Sequence, residues 1–275
     1  MPDSLPVIAH KLRQDIARMF YVSHSGHFAP ALSCVDLFVV LYFGGIIDWE
    51  HRFDDLRDRV ILSKGHACAA LYATLAHAGY FPREELLTFY QDDSRLAGHP
   101  SVALPGIETA TGALGHGICF GTGTALAAKI DDAPYRTYVI MGDGESQEGS
   151  VAEAAAFAGR KQLSALTVIL DANGLQASDT VESIAPLGNL AERWRLYGWS
   201  VFEVDGHDYT ALQSALQKTK AGTGKPNLVI AHTVKGKGVS LAENSPAWHS
   251  RAPKDEEWDI VCRDLGMTWK ELASV

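Results

Sequence analysis

The sequence predicts an α/β fold: a mostly parallel sheet with helices on both faces. Short apolar runs alternate with helix-length segments through the second half of the chain. The run Ala165–Leu170 is almost unbroken in its hydrophobicity, as a strand covered on both faces requires. No linker interrupts the pattern, since Ala221–Pro226 has the length of an ordinary helix-to-strand connection. Residues 1–275 are therefore expected to form one domain, a length ample for a buried core.

Pro6–Tyr21 carries apolar residues at Val7, Ile8, Leu12, Ile16, Met19 and Phe20, the spacing of an amphipathic helix. Cys34–Phe43 is apolar nearly all round and reads as a buried helix stopped by Gly44 and Gly45. Arg59–Leu62 is a short strand, followed by a helix over His66–His77. Gly115–Lys129 is rich in Gly and Ala, and reads as a tightly packed helix whose small residues admit another backbone. Thr137–Met141 is a strand, Glu148–Lys161 an Ala-rich helix and Ala165–Leu170 a strand. Leu190–Tyr197 is helical, Ser200–Val204 a strand, Tyr209–Thr219 a helix and Asn227–His232 a strand.

Composition narrows the function. With 24 Lys+Arg against 33 Asp+Glu, the formal charge is −9. Such a chain, without a basic block, is not built for nucleic acid or an anionic membrane surface, both of which need many positive charges. A phosphorylated small ligand needs only a local site. Cys34, Cys68, Cys119 and Cys262 form no C-x-x-C pair and lie in or beside apolar stretches, so they are expected to be buried free thiols in a reducing compartment. Met1–Ala9 lacks the pattern of a signal peptide, and Leu37–Ile47 is too short to span a bilayer, so a cytoplasmic location is expected.

In a doubly wound sheet, ligands bind beyond the carboxyl ends of the strands. Gly142-Asp143-Gly144 follows one predicted strand, and Asp171-Ala172-Asn173-Gly174 follows another. If those strands are neighbours, Asp143 and Asn173 converge. A carboxylate and an amide oxygen, with a backbone carbonyl and phosphate oxygens, suit octahedral Mg²⁺. The glycines let a backbone approach a diphosphate. Either motif alone is also an ordinary turn; the pair, 30 positions apart, favours a metal–diphosphate site.

Gly142-Asp143-Gly144 with Asn173 resembles the thiamine-diphosphate signature. Ser25-Gly26-His27, Ser63-Lys64-Gly65-His66, Gly98-His99-Pro100, Thr111-Gly112-Ala113-Leu114-Gly115 and the run Gly142–Gly149 narrow the resemblance to the transketolase family, from about His10 to about His249. The resemblance implies the diphosphate-binding (PP-type) domain of that fold. It implies Mg²⁺, replaceable by Ca²⁺ or Mn²⁺, on Asp143, Asn173 and the carbonyl of Leu175. It makes Gly142, Gly144, His66 and His249 diphosphate-side contacts, and Gly112 and Leu114 contacts of the aminopyrimidine end. His27, His66, His99 and His249 would line the substrate channel as acid/base and hydroxyl-positioning groups. Glu148 would lie at a subunit interface beside the cofactor, although an acid at a helix start is also favoured by the helix dipole. His116 is either a further polar contact or a helix-start residue. His24 and His27 have zinc-like spacing, but no second pair supports them.

The resemblance further implies transfer of a two-carbon ketol unit from a ketose to an aldose, with or without phosphate on the sugars. The glutamate that contacts the aminopyrimidine belongs, in the family, to a separate pyrimidine-binding domain, followed by a C-terminal domain. Because the sequence stops at Val275, those domains are expected on a partner chain, in an α2β2 assembly. Two other readings stand beside this one: an α-type chain of a 2-oxo-acid dehydrogenase, and a catalytically silent scaffold. A Rossmann dehydrogenase is excluded, since no G-x-G-x-x-G follows the first strand.

Overall fold

The computed structural model describes residues 3–274. Met1, Pro2 and Val275, which end the segment read for a leader and the expected domain, lie outside them. Five strands form one sheet: β1 (Arg59–Leu62), β2 (Thr137–Gly142), β3 (Leu166–Ala172), β4 (Ser200–Asp205) and β5 (Asn227–His232). Their order is β1-β2-β3-β5-β4, and every pair is parallel. The predicted strands are all present, and the sheet class is as expected.

The helices are α1 (Leu5–Ser23), α2 (Phe28–Ser33), α3 (Val35–Phe43), α4 (Cys68–His77), α5 (Gly117–Ile130), α6 (Gly149–Arg160), α7 (Val181–Ile184), α8 (Leu190–Leu196), α9 (Tyr209–Ala221), α10 (Glu257–Asp264) and α11 (Trp269–Leu272). Side chains alternate across the sheet, so each strand feeds two cores. Val60, Leu62, Tyr138, Ile140, Ile169, Val229 and Ala231 pack with α1–α4, α9 and α10 on one face. Ile61, Val139, Met141, Val168, Leu170, Leu228 and Ile230 pack with α5, α6 and α8 on the other. The crossovers β2–α6–β3 and β3–α8–β4 run over the second face, whereas β4–α9–β5 steps back over the first. That reversal is what keeps each parallel crossover right-handed.

Three readings need correction. The helix expected from His66 begins at Cys68, because Gly65–Ala67 is a single 3-10 turn. The small residues of α5 do admit a backbone: a Cβ on Gly117 would stand 2.5 Å from Ser63 Cα. But only one face packs, and Phe120 and Ile130 are 52% and 73% exposed. Cys119 lies on that outer side and is exposed, so only three of the four thiols are buried, all four being free. Also, α2 was not read from the sequence, since its six residues are too few to show a period. No helix among the described residues is long and apolar enough to cross a membrane.

Asp36 on α3 ties four segments together. It accepts two bonds from Arg13 of α1 (3.0 and 2.7 Å), one from the Tyr209 hydroxyl (2.6 Å) and one from His207 Nδ1 (2.6 Å). His207 Nε2 in turn accepts the Val234 N–H at 2.8 Å, so the loop after β5 is held through this carboxylate. Burial alone pushes the Asp36 carboxyl up, but the bonds from His207 and Arg13 outweigh it and hold the group below the usual carboxylate range. A depressed carboxyl adds stability above its unfolded value of 3.8, lost as the pH falls through that value toward the folded one. Asp36→Ala leaves the Arg13 guanidinium buried and uncompensated. It is expected to cost about 3–5 kcal/mol in urea unfolding at pH 7, with a smaller deficit below pH ~3 as the wild type loses the same interaction.

Candidate functional site

The parallel register sets Gly142 against Asp171, so the polar residues after β2 and β3 leave the sheet side by side. Those after β1 (Ser63, Lys64) and β5 (Thr233, Lys235) leave at the same edge. Together they enclose a cavity of about 280 Å³ lined by His27, Lys64, His66, His99, Gly112, Leu114, Gly142, Asp143, Gly144, Glu145, Asn173, Leu175, Gln176, Lys235 and His249, among others. The candidate residues expected from the sequence are thus brought together, with one exception. Glu148 caps the start of α6, is exposed and does not line the cavity. His116 precedes α5, exposed and outside the lining, with Nδ1 3.1 Å from the carbonyl oxygen of Leu114.

Asp143 Oδ1 accepts the Gly144 N–H at 2.8 Å and Oδ2 the Gly174 N–H at 2.6 Å. Asn173 Oδ1 accepts the Leu175 N–H at 3.1 Å, which fixes the amide oxygen on the same side. Burial raises the Asp143 carboxyl to about 6, with the nearby Asp171 adding to the rise. A cation beside Asp143 would reverse that rise. Among the described residues no three His, Cys, Asp or Glu side chains converge on a metal-sized site. Asp143 and Asn173 supply two side-chain oxygens, so a metal here would need further oxygens from the backbone and a ligand. A Cβ on Gly142 would approach nothing nearer than Lys64 Cβ at 4.0 Å, so the glycine leaves open space beside Asp143.

Four imidazoles share the cavity lining. The His27 ring lies 5.2 Å from His66, 6.1 Å from His99 and 5.5 Å from His249, and His66 lies 5.1 Å from His249. His27 is the N-cap residue of α2, His66 sits in the 3-10 turn, and His249 follows the turn Pro246–Trp248. Burial lowers His27, aided by His99, Lys235 and Lys64. Burial lowers His66 well below its ordinary value, with Lys64 and His249 adding to it, and His249 falls to about 3 through burial and Lys235. Burial and the neighbouring positive charges thus disfavour the charged form of all three rings. A Cβ on Gly112 would stand 3.2 Å from His99 Cδ2, so a side chain there would press on that ring.

The sequence reading missed the charged frame beneath these groups. Lys64 Nζ pairs with Asp171, both nearly inaccessible to solvent. Asp171 also accepts Ser33 Oγ of α2 (2.6 Å) and the Thr233 hydroxyl after β5. Burial opposes the charge on both partners, but each outweighs it for the other: Lys64 is raised and Asp171 lowered. Glu145 is buried too, accepting Ser63 Oγ and the N–H groups of Gly115 (2.7 Å) and Gly142 (3.1 Å), while burial raises its carboxyl. Lys235 Nζ reaches the Gln176 carbonyl oxygen (2.7 Å) and His249 Nδ1 (2.8 Å). Lys64, Glu145 and Asp171 stood within or beside the quoted motifs, but nothing local marks them as buried.

A sequence profile described as "Transketolase, thiamine diphosphate binding domain" matches residues 11–274. The chain belongs to the transketolase family. It is 39% identical over 271 residues to one of the subunits of apulose-4-phosphate transketolase from Phocaeicola vulgatus, covering 98% of this chain and 96% of that protein. It is 39% identical over 242 residues to the SqwG subunit of 6-deoxy-6-sulfo-D-fructose transketolase from a Clostridium species, covering 87% and 88% respectively. Among solved structures, transketolase from Leishmania mexicana superposes with a TM-score of 0.89 at 29% identity, over 99% of this chain and 44% of that one. Transketolase from Campylobacter jejuni gives 0.87 at 31%, over 96% and 43%. This transketolase-family chain thus spans less than half the length of those solved relatives.

Replacing Lys64 by Met leaves Asp171 buried with hydroxyls but no counter-charge. The variant is expected to lose about 3–5 kcal/mol of stability, measured by urea unfolding at pH 7. Lys64→Met combined with Asp171→Asn should cost clearly less than the sum of the single losses, since the pair is coupled.

Proposed function

We propose that this chain is a single PP-type domain acting as the thiamine-diphosphate-binding subunit of a two-chain transketolase. With a partner that supplies pyrimidine-binding and C-terminal domains, it would transfer a two-carbon ketol unit from a ketose to an aldose. The observation that carries this reading is the meeting of Asp143 and Asn173, on adjacent strand ends, with four imidazoles across one cavity. The names of the two most fully covered relatives described above, both transketolase subunits, favour it over a 2-oxo-acid dehydrogenase chain. One of those names specifies a phosphorylated ketose and the other a sulfonated one, so the substrate class proposed here is a ketose or ketose phosphate.

In this reading Asp143, Asn173 and the Leu175 carbonyl hold Mg²⁺, for which Ca²⁺ or Mn²⁺ can substitute. Gly142, Gly144, His66 and His249 meet the diphosphate, while Gly112 and Leu114 meet the aminopyrimidine. Glu148, exposed at the start of α6, is assigned to the subunit interface, in an α2β2 assembly. When bound, thiamine diphosphate supplies the electron sink that lets the bond beside a ketose carbonyl break and form. The residues of the chain orient and exchange protons. An imidazole can donate or accept, so His27, His66, His99 and His249 suit the hydroxyls of a sugar. We assign the chain to the cytoplasm, because an exposed free thiol such as Cys119 suits a reducing compartment.

Asp143→Ala is expected to abolish Mg²⁺-dependent binding of thiamine diphosphate, read by calorimetry on the assembled subunits, while the circular dichroism of the chain stays unchanged. Undiminished binding would refute the metal assignment. For the function itself, the chain with its partner, cofactor and Mg²⁺ should convert a ketose donor and an aldose acceptor. Lipoyl-dependent 2-oxo-acid decarboxylation instead would refute it.

A further inference from the structure

Ketol transfer calls on four imidazoles, and their hydrogen-bond partners set them apart. We infer that Lys235 is a positioning residue that fixes the tautomer of His249, so that this ring presents an Nε2–H donor to an acceptor oxygen of the bound ligand and does not serve as a base. This rests on the reading of the cavity as a sugar and cofactor site.

Lys235 Nζ stands 2.8 Å from His249 Nδ1 and 2.7 Å from the Gln176 carbonyl oxygen. A lysine ammonium has three donors and no acceptor, so Nδ1 must offer its lone pair and the neutral ring carries its proton on Nε2. The reverse arrangement needs the amine to surrender its proton. Burial lowers Lys235, with Lys64 adding to the effect, but only to about 8, whereas His249 falls to about 3. The proton therefore stays on the lysine at neutral pH.

The lysine is held in place at every level. The residue is 1% exposed. Its carbonyl accepts the Asn244 N–H (2.9 Å), the Gly236 N–H bonds to the Ala29 carbonyl (3.1 Å), and the Val234 N–H is taken by His207 (2.8 Å). His27 is the contrast. Its Nδ1 is buried and has no hydrogen-bond partner among the described residues. No protein group selects a tautomer for His27 through that atom, so the ring can give or take a proton as the ligand requires. His249 is thus a fixed donor, whereas His27 stays free to exchange a proton.

The test is a two-bond 1H–15N correlation on the full chain labelled at histidine, alone and with its partner, with His249 assigned through His249→Gln. The Nε2–H pattern is expected for His249 at pH 7, retained in Lys235→Arg and lost to a mixture in Lys235→Met. An Nδ1–H pattern in the wild type, or an unchanged pattern in Lys235→Met, overturns the inference. Should Lys235→Met fail to fold, the wild-type spectrum alone decides. In the assembled enzyme Lys235→Met should lower kcat about tenfold to a hundredfold, as loss of a partner that orients an active-site imidazole does. His249→Gln should add little in that background, and fully additive losses overturn the inference. The spectrum does not depend on turnover. An intact Nε2–H pattern without ketol transfer would count against the proposed function alone.

Discussion

The buried pair Lys64–Asp171 is the interaction on which the rest of the site depends. Lys64 follows β1 and Asp171 lies near the end of β3, with β2 between them in the sheet. The hydroxyls of Ser33 and Thr233 and the Asn173 amide also donate to the carboxylate, so one ion pair gathers α2, the end of β1, the end of β3 and the loop after β5. A pair this deeply buried costs desolvation on both sides, and hydrophobic replacements are often as stable. What it adds is position. His27 caps α2, His66 follows Lys64 by two residues, Asn173 follows Asp171 by two, and Lys235 follows Thr233 by two. His66, Asn173 and Lys235 are thus each two residues along the chain from a member of the pair or from a side chain bound to it.

The same pair bears on the chain's charge. At −9 overall, the protein is a poor general attractor of anions, yet two lysines are buried at the one edge where polar residues converge. Lys64 pairs with Asp171, while Lys235, among the described residues, bonds to a carbonyl oxygen and an imidazole. Both lysines add to burial in disfavouring the charged forms of His27, His66 and His249. Local placement of charge, not net charge, decides what such a cavity can hold.

The sequence disclosed the parts of the site that are local. Asp143 and Asn173 were legible because each sits in a turn directly after an apolar run, and the α/β alternation placed those runs in one sheet. The inner strands β2, β3 and β5 were legible as largely apolar runs buried on both faces. Asp171, Lys64 and Glu145 were not singled out, since their roles come from partners 107 and 82 positions away and no pattern along the chain encodes those contacts. The same limit explains the two acids after β2. Glu148 stood out by its place at a helix start, yet Glu145 is the one folded inward, against Ser63 and the N–H groups of Gly115 and Gly142. The outer side of α5 was misjudged for a related reason. A segment rich in Gly and Ala reads as tightly packed, and the sequence cannot say that Cys119 and Phe120 would face outward.

Unequal satisfaction of polar groups then separates side chains of one kind. Asp36 and Asp171 are both buried carboxylates held ionised, each by a cation and by several donors. Asp143 has only two backbone N–H groups for the same burial, and its carboxyl rises instead of falling. A fold that satisfies two acids so fully and leaves the third short of a cation is not short of donors in general. The shortfall lies at the end of β2, facing the cavity, where an incoming ligand can make it good. The imidazoles follow the same rule. His207 is bonded through both ring nitrogens and acts as a strut, whereas His27 keeps one nitrogen buried and free. Among these carboxylates and imidazoles, the ones that tie elements together are saturated, whereas Asp143 and His27, which line the cavity, are not.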